Sequence, residues 1–281
     1  MSSTIDQSFV RQYEAEVHVA YQRMGSKLRN TVRVKGPVTG ESTTFQKVGQ
    51  GEAAQKTRNG DVPVMNLDHT PVECPLSDWY AGEFIDDLDE LKTNNNERQI
   101  AVNAGAYALG RKTDSLIIAA LNGATQYQDS ANLSALTAAA GGAYFTDLVT
   151  TLGARDVPVG DGQTFGVVSW QVWNKMLSIE EFKNADYVGA DELPFKTNAT
   201  GARRWLDCIW MPHSGLTIAS NIRKNFLYHR TAIGHAIGKD VTTTMSWENT
   251  KSAFFANTRM SQGSVLIDTN GVQQFLVTEN A

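Results

Sequence analysis

Residues 49–64 read GQGEAAQKTRNGDVPV, a stretch of glycine, charged and amide side chains that offers a protein core almost nothing to bury. The flanking residues are typical of strands: TVRVK (31–35) and STTFQKV (42–48) precede the stretch, and MNL (65–67) continues its final VPV. We interpret this region as a long hairpin with an irregular tip around Asn59-Gly60, because Asn-Gly is a preferred turn sequence. The sequence therefore predicts a polar finger that extends away from the body of the protein.

The composition is that of a folded globular protein. The chain has 281 residues, of which 41% are hydrophobic and 20% charged, so it can bury a large core and is not globally disordered. Its formal net charge of −5 does not indicate nucleic-acid binding by the whole chain, although residues 1–35 carry an excess of basic groups. The two cysteines, Cys74 and Cys208, form no Cys-x-x-Cys pair, which argues against a disulfide framework or a zinc site.

No feature of the sequence predicts export or a membrane partner. The first ten residues, MSSTIDQSFV, lack the basic start and apolar run of a signal peptide. The longest apolar run, LIIAAL (116–121), is too short to cross a bilayer. We therefore expect a cytoplasmic setting.

Two helices are predicted from apolar residues at helical spacing. The first is an amphipathic helix over residues 6–24, which Gly25 ends. The second covers residues 97–121, is about 37 Å long and ends at Asn122-Gly123. Alanine and glycine keep the other faces of this second helix slim, so we expect it to pack closely against its neighbours.

The second half of the chain mixes helices and strands. After a connector rich in alanine and glycine, we expect a helix over residues 145–152, a strand over 164–169 and one buried strand, RWLDCIWM (204–211). The tail is rich in strand-forming residues, and Asn270-Gly271 predicts a tight hairpin turn between its last two strands. Four tryptophans in apolar settings are expected in the core or at a subunit interface: Trp170, Trp173, Trp205 and Trp210. Together these patterns predict an α+β fold of two lobes with two extensions.

Motifs that imitate catalytic or cofactor sites lack the setting that such sites need. Gly49, Gly51 and Ala54 are spaced as in a dinucleotide fingerprint, but an Asn-Gly pair and a proline soon interrupt any helix that would follow. The stretch GAYALGRKT (105–113) lies inside the long predicted helix, whose amides are already bonded. The five histidines have no metal-ligand spacing. We therefore predict no catalytic, cofactor-binding or metal site, although an acid/base pair that meets only in space stays open.

The order of an amphipathic arm, a protruding hairpin, a long slim helix and a separate α/β lobe resembles that of the major capsid proteins of tailed bacteriophages, which have the Hong Kong 97-type fold. The likeness spans nearly the whole chain. It is strongest in four stretches: GQGEAAQKTRNGDVPV (49–64), ERQIAVNAGAYALGRKTDSLIIAALNGA (97–124), VVSWQVWNKML (167–177), and the tail from AIGHAIGKDVTTTMSW to VQQFLV (232–277).

The resemblance implies a division of the chain into five parts. These are an N-terminal arm (1–30), an extended loop (31–75), a peripheral domain with the long helix as its spine (76–139), an axial domain (140–221) and C-terminal strands that complete the peripheral domain (222–281). The extended loop is expected to reach over a neighbouring subunit, so that a finger left unburied in one copy is covered by another. The candidate subunit-contact residues in the loop are Gly49, Gly51, Glu52, Lys56, Arg58, Asn59 and Gly60.

The function that the resemblance implies is that of a major capsid protein. We expect it to self-assemble in the host cytoplasm, as pentamers and hexamers, into the icosahedral shell of a virion that encloses the phage genome. The expected partners are other copies of itself, a separate scaffolding protein, a portal and packaged DNA on the inner face, with no membrane. Two alternatives stay open: a cellular compartment shell of the encapsulin type, and an enzyme whose polar finger is an active-site lid.

Overall fold

A computed structural model describes residues 25–88, 96–133, 136, 138–183 and 201–279 of the chain. The predicted amphipathic helix over residues 6–24 lies outside this described part. The helices are α1 (Glu97–Asn122), α2 (Ala138–Gly153), α3 (Trp170–Met176) and α4 (Glu180–Lys183). The strands are β1 (Arg33–Lys35), β2 (Ser42–Val48), β3 (His69–Pro75), β4 (Ser77–Asp86), β5 (Tyr127–Asn132), β6 (Thr164–Val168), β7 (Arg203–Trp205), β8 (Cys208–Pro212), β9 (Ile218–Ala219), β10 (Ile222–His229), β11 (Ile233–Glu248), β12 (Ala253–Leu266) and β13 (Val272–Thr278).

The chain divides into two compact units, each assembled from three separate segments. Of the described residues, those within 25–26, 78–112 and 239–261 form unit 1, and those within 27–77, 113–238 and 262–279 form unit 2. Helix α1 and strands β11 and β12 contribute residues to both units.

Helix α1 confirms the long helix predicted from the sequence and ends one residue later than expected, at Asn122. Strong helix formers fill it, and Glu97 places a negative charge in its first turn, where the helix dipole favours one. At its other end the side-chain amide of Gln274, on β13, donates hydrogen bonds to the carbonyls of Leu121, Asn122 and Ala124 over 3.1, 3.3 and 2.8 Å. A distant strand thus supplies the partners that the last carbonyls of a helix lack.

In unit 1, strands β11, β12 and β4 lie side by side in that order, and α1 packs against this sheet. The packing is closest at Gly105, where an added Cβ would lie 2.5 Å from the Thr258 hydroxyl and 3.6 Å from the Ala81 carbonyl. This glycine therefore allows close approach of helix and sheet, as the sequence analysis predicted.

The main feature of unit 2 is a seven-stranded sheet with the order β5-β13-β10-β6-β8-β7, in which β9 also pairs with β10. Its largest core lies between this sheet and helices α2, α3 and α4. Phe145 lies at the centre, with ring centroids 5.8, 5.3 and 6.1 Å from those of Trp205, Trp210 and Phe275. The expectation of buried tryptophans is confirmed for Trp173 and for these two.

The fourth tryptophan, Trp170, is 43% exposed. It is the first residue of α3, whose buried side is formed by Val172, Trp173 and Met176. Its ring therefore lies outside the face of the short helix that contacts the core.

The stretch RWLDCIWM forms two strands, and the prediction of a single strand is wrong. Strand β7 ends at Trp205, β8 begins at Cys208, and these two residues pair in an antiparallel hairpin. Leu206 and Asp207 between them have φ angles of 53° and 57°, the left-handed conformation that a tight two-residue hairpin turn needs. The chain reverses here without the glycine or asparagine that usually signals such a turn.

The hairpin predicted at Asn270-Gly271 is also wrong. The preceding strand, β12, lies between β11 and β4, whereas β13 pairs with β10 and β5 in the other sheet. The two residues lie in a 3-10 turn, Thr269–Gly271, where the Asp268 carboxylate accepts a hydrogen bond from the Asn270 amide over 3.0 Å. The same turn sequence therefore connects two sheets.

Two further boundaries differ from the sequence analysis. Helix α2 begins at Ala138, so part of the alanine- and glycine-rich connector is helical, which the high helix propensity of alanine explains. The seven-stranded sheet runs across residue 221, because β10 pairs with both β6 and β13. The C-terminal strand β13 thus lies in the same sheet as strands from the segment 140–221.

Candidate subunit-contact surfaces

The predicted finger begins as a regular hairpin. Strands β2 and β3 pair antiparallel over seven residues, from Ser42 opposite Pro75 to Val48 opposite His69. A last ladder bond joins the Gly49 amide to the Asp68 carbonyl over 2.8 Å. The predicted hairpin is therefore confirmed, but its strands stop well short of the tip.

The candidate contact residues all lie in the connection between the two strands. Six of them are exposed and Gly60 is half-buried. A turn lies one residue before the expected position: the Gly60 amide donates to the Thr57 carbonyl over 3.2 Å, so Arg58 and Asn59 are its central residues. The structure places these side chains on one loop and shows no other part of the described chain covering them. Their role in contacts between subunits stays a prediction.

The loop also carries an apolar strip that the sequence analysis missed. It consists of four side chains, with exposed fractions of 69% for Val62, 81% for Val64, 50% for Met65 and 39% for Leu67. The signal is present in VPVMNL (62–67), a stretch that by itself predicts an extended strand. These residues form no strand because Pro63 lacks an amide donor and no partner strand lies beside them. The finger is therefore polar on one limb and apolar on the other.

The two limbs of the loop approach each other most closely at Gly51, as the space around this residue indicates. A Cβ added at this position would overlap the Met65 side chain and would lie 2.9 Å from a methyl carbon of Leu67. The lack of a side chain at Gly51 therefore allows the polar limb to lie against the apolar strip. Even so, Val62 and Val64 remain almost fully open to solvent.

Unit 1 presents a second exposed surface with apolar character. A cleft of about 460 Å³ lies between residues 81–86 of β4 and the alanine- and glycine-rich face of α1. Beside it Phe84 is 43% exposed, stacks on Phe255 with ring centroids 4.4 Å apart, and has the Lys251 ammonium 3.7 Å from its ring centroid. Glu83, Asp86 and Glu97 add acidic groups to the cleft lining. The cleft thus has an apolar floor and a charged rim.

Two of the described histidines are held by hydrogen bonds to carboxylates. His213 is buried, with Nε2 3.1 Å from the buried Asp114 carboxylate, and its Nδ1 accepts from the Gly215 amide over 3.1 Å. His229 is buried as well, with Nε2 2.9 Å from the Asp161 carboxylate, whose side chain is 31% exposed. Across the described ranges, no group of three His, Cys, Asp or Glu side chains is arranged to hold a metal ion. Within the same ranges, no helix has both the length and the apolar character needed to cross a membrane.

The profile of the phage capsid protein family matches residues 5–279, almost the entire chain. The chain belongs to the phage capsid protein family. A comparison with curated protein sequences finds no match. The capsid protein described here is therefore a structural component of the virion, where copies of it associate to build the shell, and it is not an enzyme.

Solved structures show that the fold of this capsid protein is an α+β capsid fold of the Hong Kong 97 type. A structure from Mycobacterium phage Che8 matches with a TM-score of 0.74 at 15% identity, covering 95% of this chain and 97% of that one. The capsid of Cyanophage P-SCSP1u matches with a TM-score of 0.73 at 14% identity, over 100% and 96% of the two chains. The capsid of Ralstonia phage GP4 gives 0.71 at 12% identity, over 100% and 98%. Such low identities leave the residue-level contacts of this capsid protein to be argued from its own structure.

Proposed function

We propose that this major capsid protein builds an icosahedral shell from pentamers and hexamers, and that residues 49–68 of each copy clasp a neighbouring copy. One observation carries the proposal: the loop leaves its apolar strip open to solvent, although the chain buries comparable side chains elsewhere. An exposed apolar patch on a protein that forms assemblies marks an interaction surface. A second copy supplies the cover that the single chain lacks.

The size of the contact suits reversible assembly. Fully burying a valine, leucine or methionine side chain contributes about 1.5–3 kcal/mol, so covering the exposed fractions of the strip contributes roughly 5 kcal/mol for each loop. Association of two proteins costs about 4–15 kcal/mol in lost freedom of motion, so one clasp alone is marginal. In a closed ring every copy both gives and receives a clasp, and the repeated contacts hold one another in place.

The receiving surface in this proposal is the cleft in unit 1 of the second copy. Its support is complementary character: an apolar strip with charged neighbours on one side, and an apolar floor with a charged rim on the other. Lys56 and Arg58 on the loop carry charges opposite to those of Glu83 and Asp86 at the cleft. Exposed ion pairs of this kind contribute little and are screened by salt, so they orient the clasp more than they strengthen it.

The remaining parts of the chain take the roles that the sequence resemblance assigns. Residues 1–30 act as the arm, 76–139 as the peripheral domain around the spine helix, and 140–221, together with strands β10 and β13 that share their sheet, as the axial domain at the centre of each capsomer. We extend this proposal to a separate scaffolding protein, a portal and packaged DNA on the inner face of the shell.

Loop variants test the clasp. Replacing residues 50–60 by a short Gly-Ser turn should leave subunit folding nearly intact and abolish closed shells, because the loop no longer reaches its neighbour. A Gly-Ser segment of eleven residues at the same place is the matched control, because it keeps the reach and the apolar strip. We expect this control to form particles in sedimentation and negative-stain microscopy. Normal shells from the shortened variant would show that the loop is not a clasp.

A cross-link tests the receiving surface. The double variant Val64→Cys and Ala104→Cys should form disulfides between copies on mild oxidation, giving covalent oligomers on a denaturing gel. The single variants should remain monomeric on the same gel. Particles that assemble without any such cross-link would place the receiving surface elsewhere.

A further inference from the structure

The base of the hairpin, unlike its tip, is held firmly on the body of unit 2. A small separate core consists of Phe45 from β2, Cys74 from β3, Ala236 from β11 and Ile267. Phe45 is the single fully buried side chain of β2 and is only 2% exposed. The direction in which the loop extends is therefore set by how this core is packed.

The Phe45 ring lies between two cationic side chains of β1 and a glycine of β11. The cationic groups of Arg33 and Lys35, on β1, lie 5.7 and 5.8 Å from the ring centroid. The Lys35 ammonium also donates to the carbonyl of Thr44, the residue before Phe45, over 3.0 Å. On the remaining side lies Gly234 of β11. A Cβ there would come within 2.7–2.8 Å of three ring atoms.

The second strand of the hairpin rests on a second glycine. A Cβ added at Gly263 of β12 would overlap the carbonyl oxygen of Pro75, the last residue of β3, and would lie 3.4 Å from the Cys74 sulfur. Neither Gly234 nor Gly263 has a positive φ angle. Their backbones would accept any residue, so it is space, and not conformation, that requires glycine at both positions.

We propose that Gly234 and Gly263 form a seat that determines where the loop points, and hence whether it reaches the neighbouring subunit. This inference rests on the proposed clasp. A methyl group at Gly234 forces the Phe45 ring to retreat by about 1 Å to reach an ordinary contact distance. Phe45 lies three residues from Ser42, at the start of β2, and Val48 at its end lies six residues from Ser42. A rigid tilt about Ser42 that moves Phe45 by about 1 Å therefore moves the end of the strand pair by about 2 Å.

A displacement of this size separates the loop from its partner surface. A gap of about 0.5–1 Å already forfeits a quarter to a half of a van der Waals contact. The subunit itself keeps nearly all of its core, because the larger clusters of unit 2 do not include Phe45. The seat thus affects assembly much more than folding.

The test compares Gly234→Ala with two reference variants. Gly160→Ala is the matched control, because a Cβ at Gly160 meets nothing within 4 Å. The double variant Gly234→Ala with Phe45→Leu removes the ring that the new methyl group would strike. We expect Gly234→Ala to raise the concentration needed for assembly about tenfold or more, because part of the clasp contact is lost. The control should match the wild type, and the double variant should recover most of the loss.

Loop direction is measured on the unassembled subunit. Spin labels on Thr57→Cys and Ala154→Cys, both exposed sites in unit 2, report the distance between the loop and the body. Gly234→Ala should shift this distance by about 2 Å or more, and the double variant should restore it. An unchanged distance together with normal assembly would overturn the seat.

A second variant tests the same seat. If Gly234→Ala does not fold, Phe45→Leu alone serves instead: it leaves the seat unfilled and should broaden the distance distribution and weaken assembly. A narrow distribution and normal assembly in that variant would refute the inference. The distance reports on the seat in the isolated subunit, and the shortened-loop variant reports on the clasp, so a failure of one is distinguishable from a failure of the other.

Discussion

The strongest prediction concerns the two most exposed valines of the loop. Val62→Ala with Val64→Ala removes four methyl groups from side chains that are 69% and 81% exposed in the isolated subunit. Each buried methyl contributes about 0.8 kcal/mol, so the part that a neighbour covers is worth about 1.1 kcal/mol at Val62 and about 1.3 kcal/mol at Val64. A loss of about 2.4 kcal/mol per clasp corresponds to a rise of about fifty-fold in the concentration needed for assembly.

Two measurements on the same variant separate assembly from folding. Light scattering against protein concentration gives the threshold for shell formation, and denaturant unfolding of the unassembled subunit gives its stability. The unfolding midpoint should not change, because these valines contribute to no core of the isolated chain. Val34→Ala is the matched control, since Val34 is 41% exposed and lies on β1, outside the proposed clasp of residues 49–68. Its threshold should equal that of the wild type.

The outcome that would refute the reasoning is an unchanged assembly threshold in the double variant. In that case no neighbour covers the valines, and the energy of the clasp must come from other residues. A lowered unfolding midpoint would contradict it in another way, because it would mean that the strip folds back onto its own chain.

Two other predictions concern titratable groups: the buried cysteine thiols and the partly exposed Asp161 carboxylate. Burial, together with the charge of Asp207, raises the pKa of Cys208 to about 12. Burial also raises the pKa of Cys74, although a hydrogen bond with the Ala236 backbone acts in the opposite direction. Neither thiol should therefore react with a disulfide reagent at pH 8 before the chain unfolds, and fast labelling of the native protein in mass spectrometry would contradict this. Burial raises the pKa of Asp161, but the hydrogen bonds and charge that it meets, from His229 above all, outweigh burial and lower the pKa below the ordinary 3.8. The carboxylate therefore stabilises the fold above that value and loses its effect as the pH falls through the folded pKa, so Asp161→Asn should lower the unfolding midpoint at pH 6 and bring it close to that of the wild type at strongly acidic pH.

Features that depend on neighbouring residues in the chain were well predicted. Helix α1 starts where expected and ends one residue later, because its alanines and its Asn-Gly stop act within a turn or two. The hairpin of β2 and β3 was predicted for the same reason, and the turn near its tip, over Thr57–Gly60, lies one residue before the expected position. The chemistry of such segments is local, so a single sequence suffices.

Features that depend on residues far apart in the chain were not predicted from the sequence. The turn at Leu206-Asp207 forms against local preference, because the strands on either side gain a sheet and a core. The apolar strip was overlooked because MNL and VPV look like strand sequence, and only the missing partner strand makes them loop. The Gln274 cap on α1 joins residues about 150 positions apart, which no local pattern signals.

The sequence by itself determined the class of fold, the long helix, the protruding hairpin and the resemblance to capsid proteins, since each follows from periodicity, turn residues and element order along the chain. Only the tertiary structure decided which side chains stay exposed on the loop, which strands share a sheet, and which glycines lie beneath the hairpin. The reason is physical. The exposure of a side chain, the pairing of two strands and the close approach of two residues depend on parts of the chain that are far apart in sequence, so they are fixed only when the whole chain has packed.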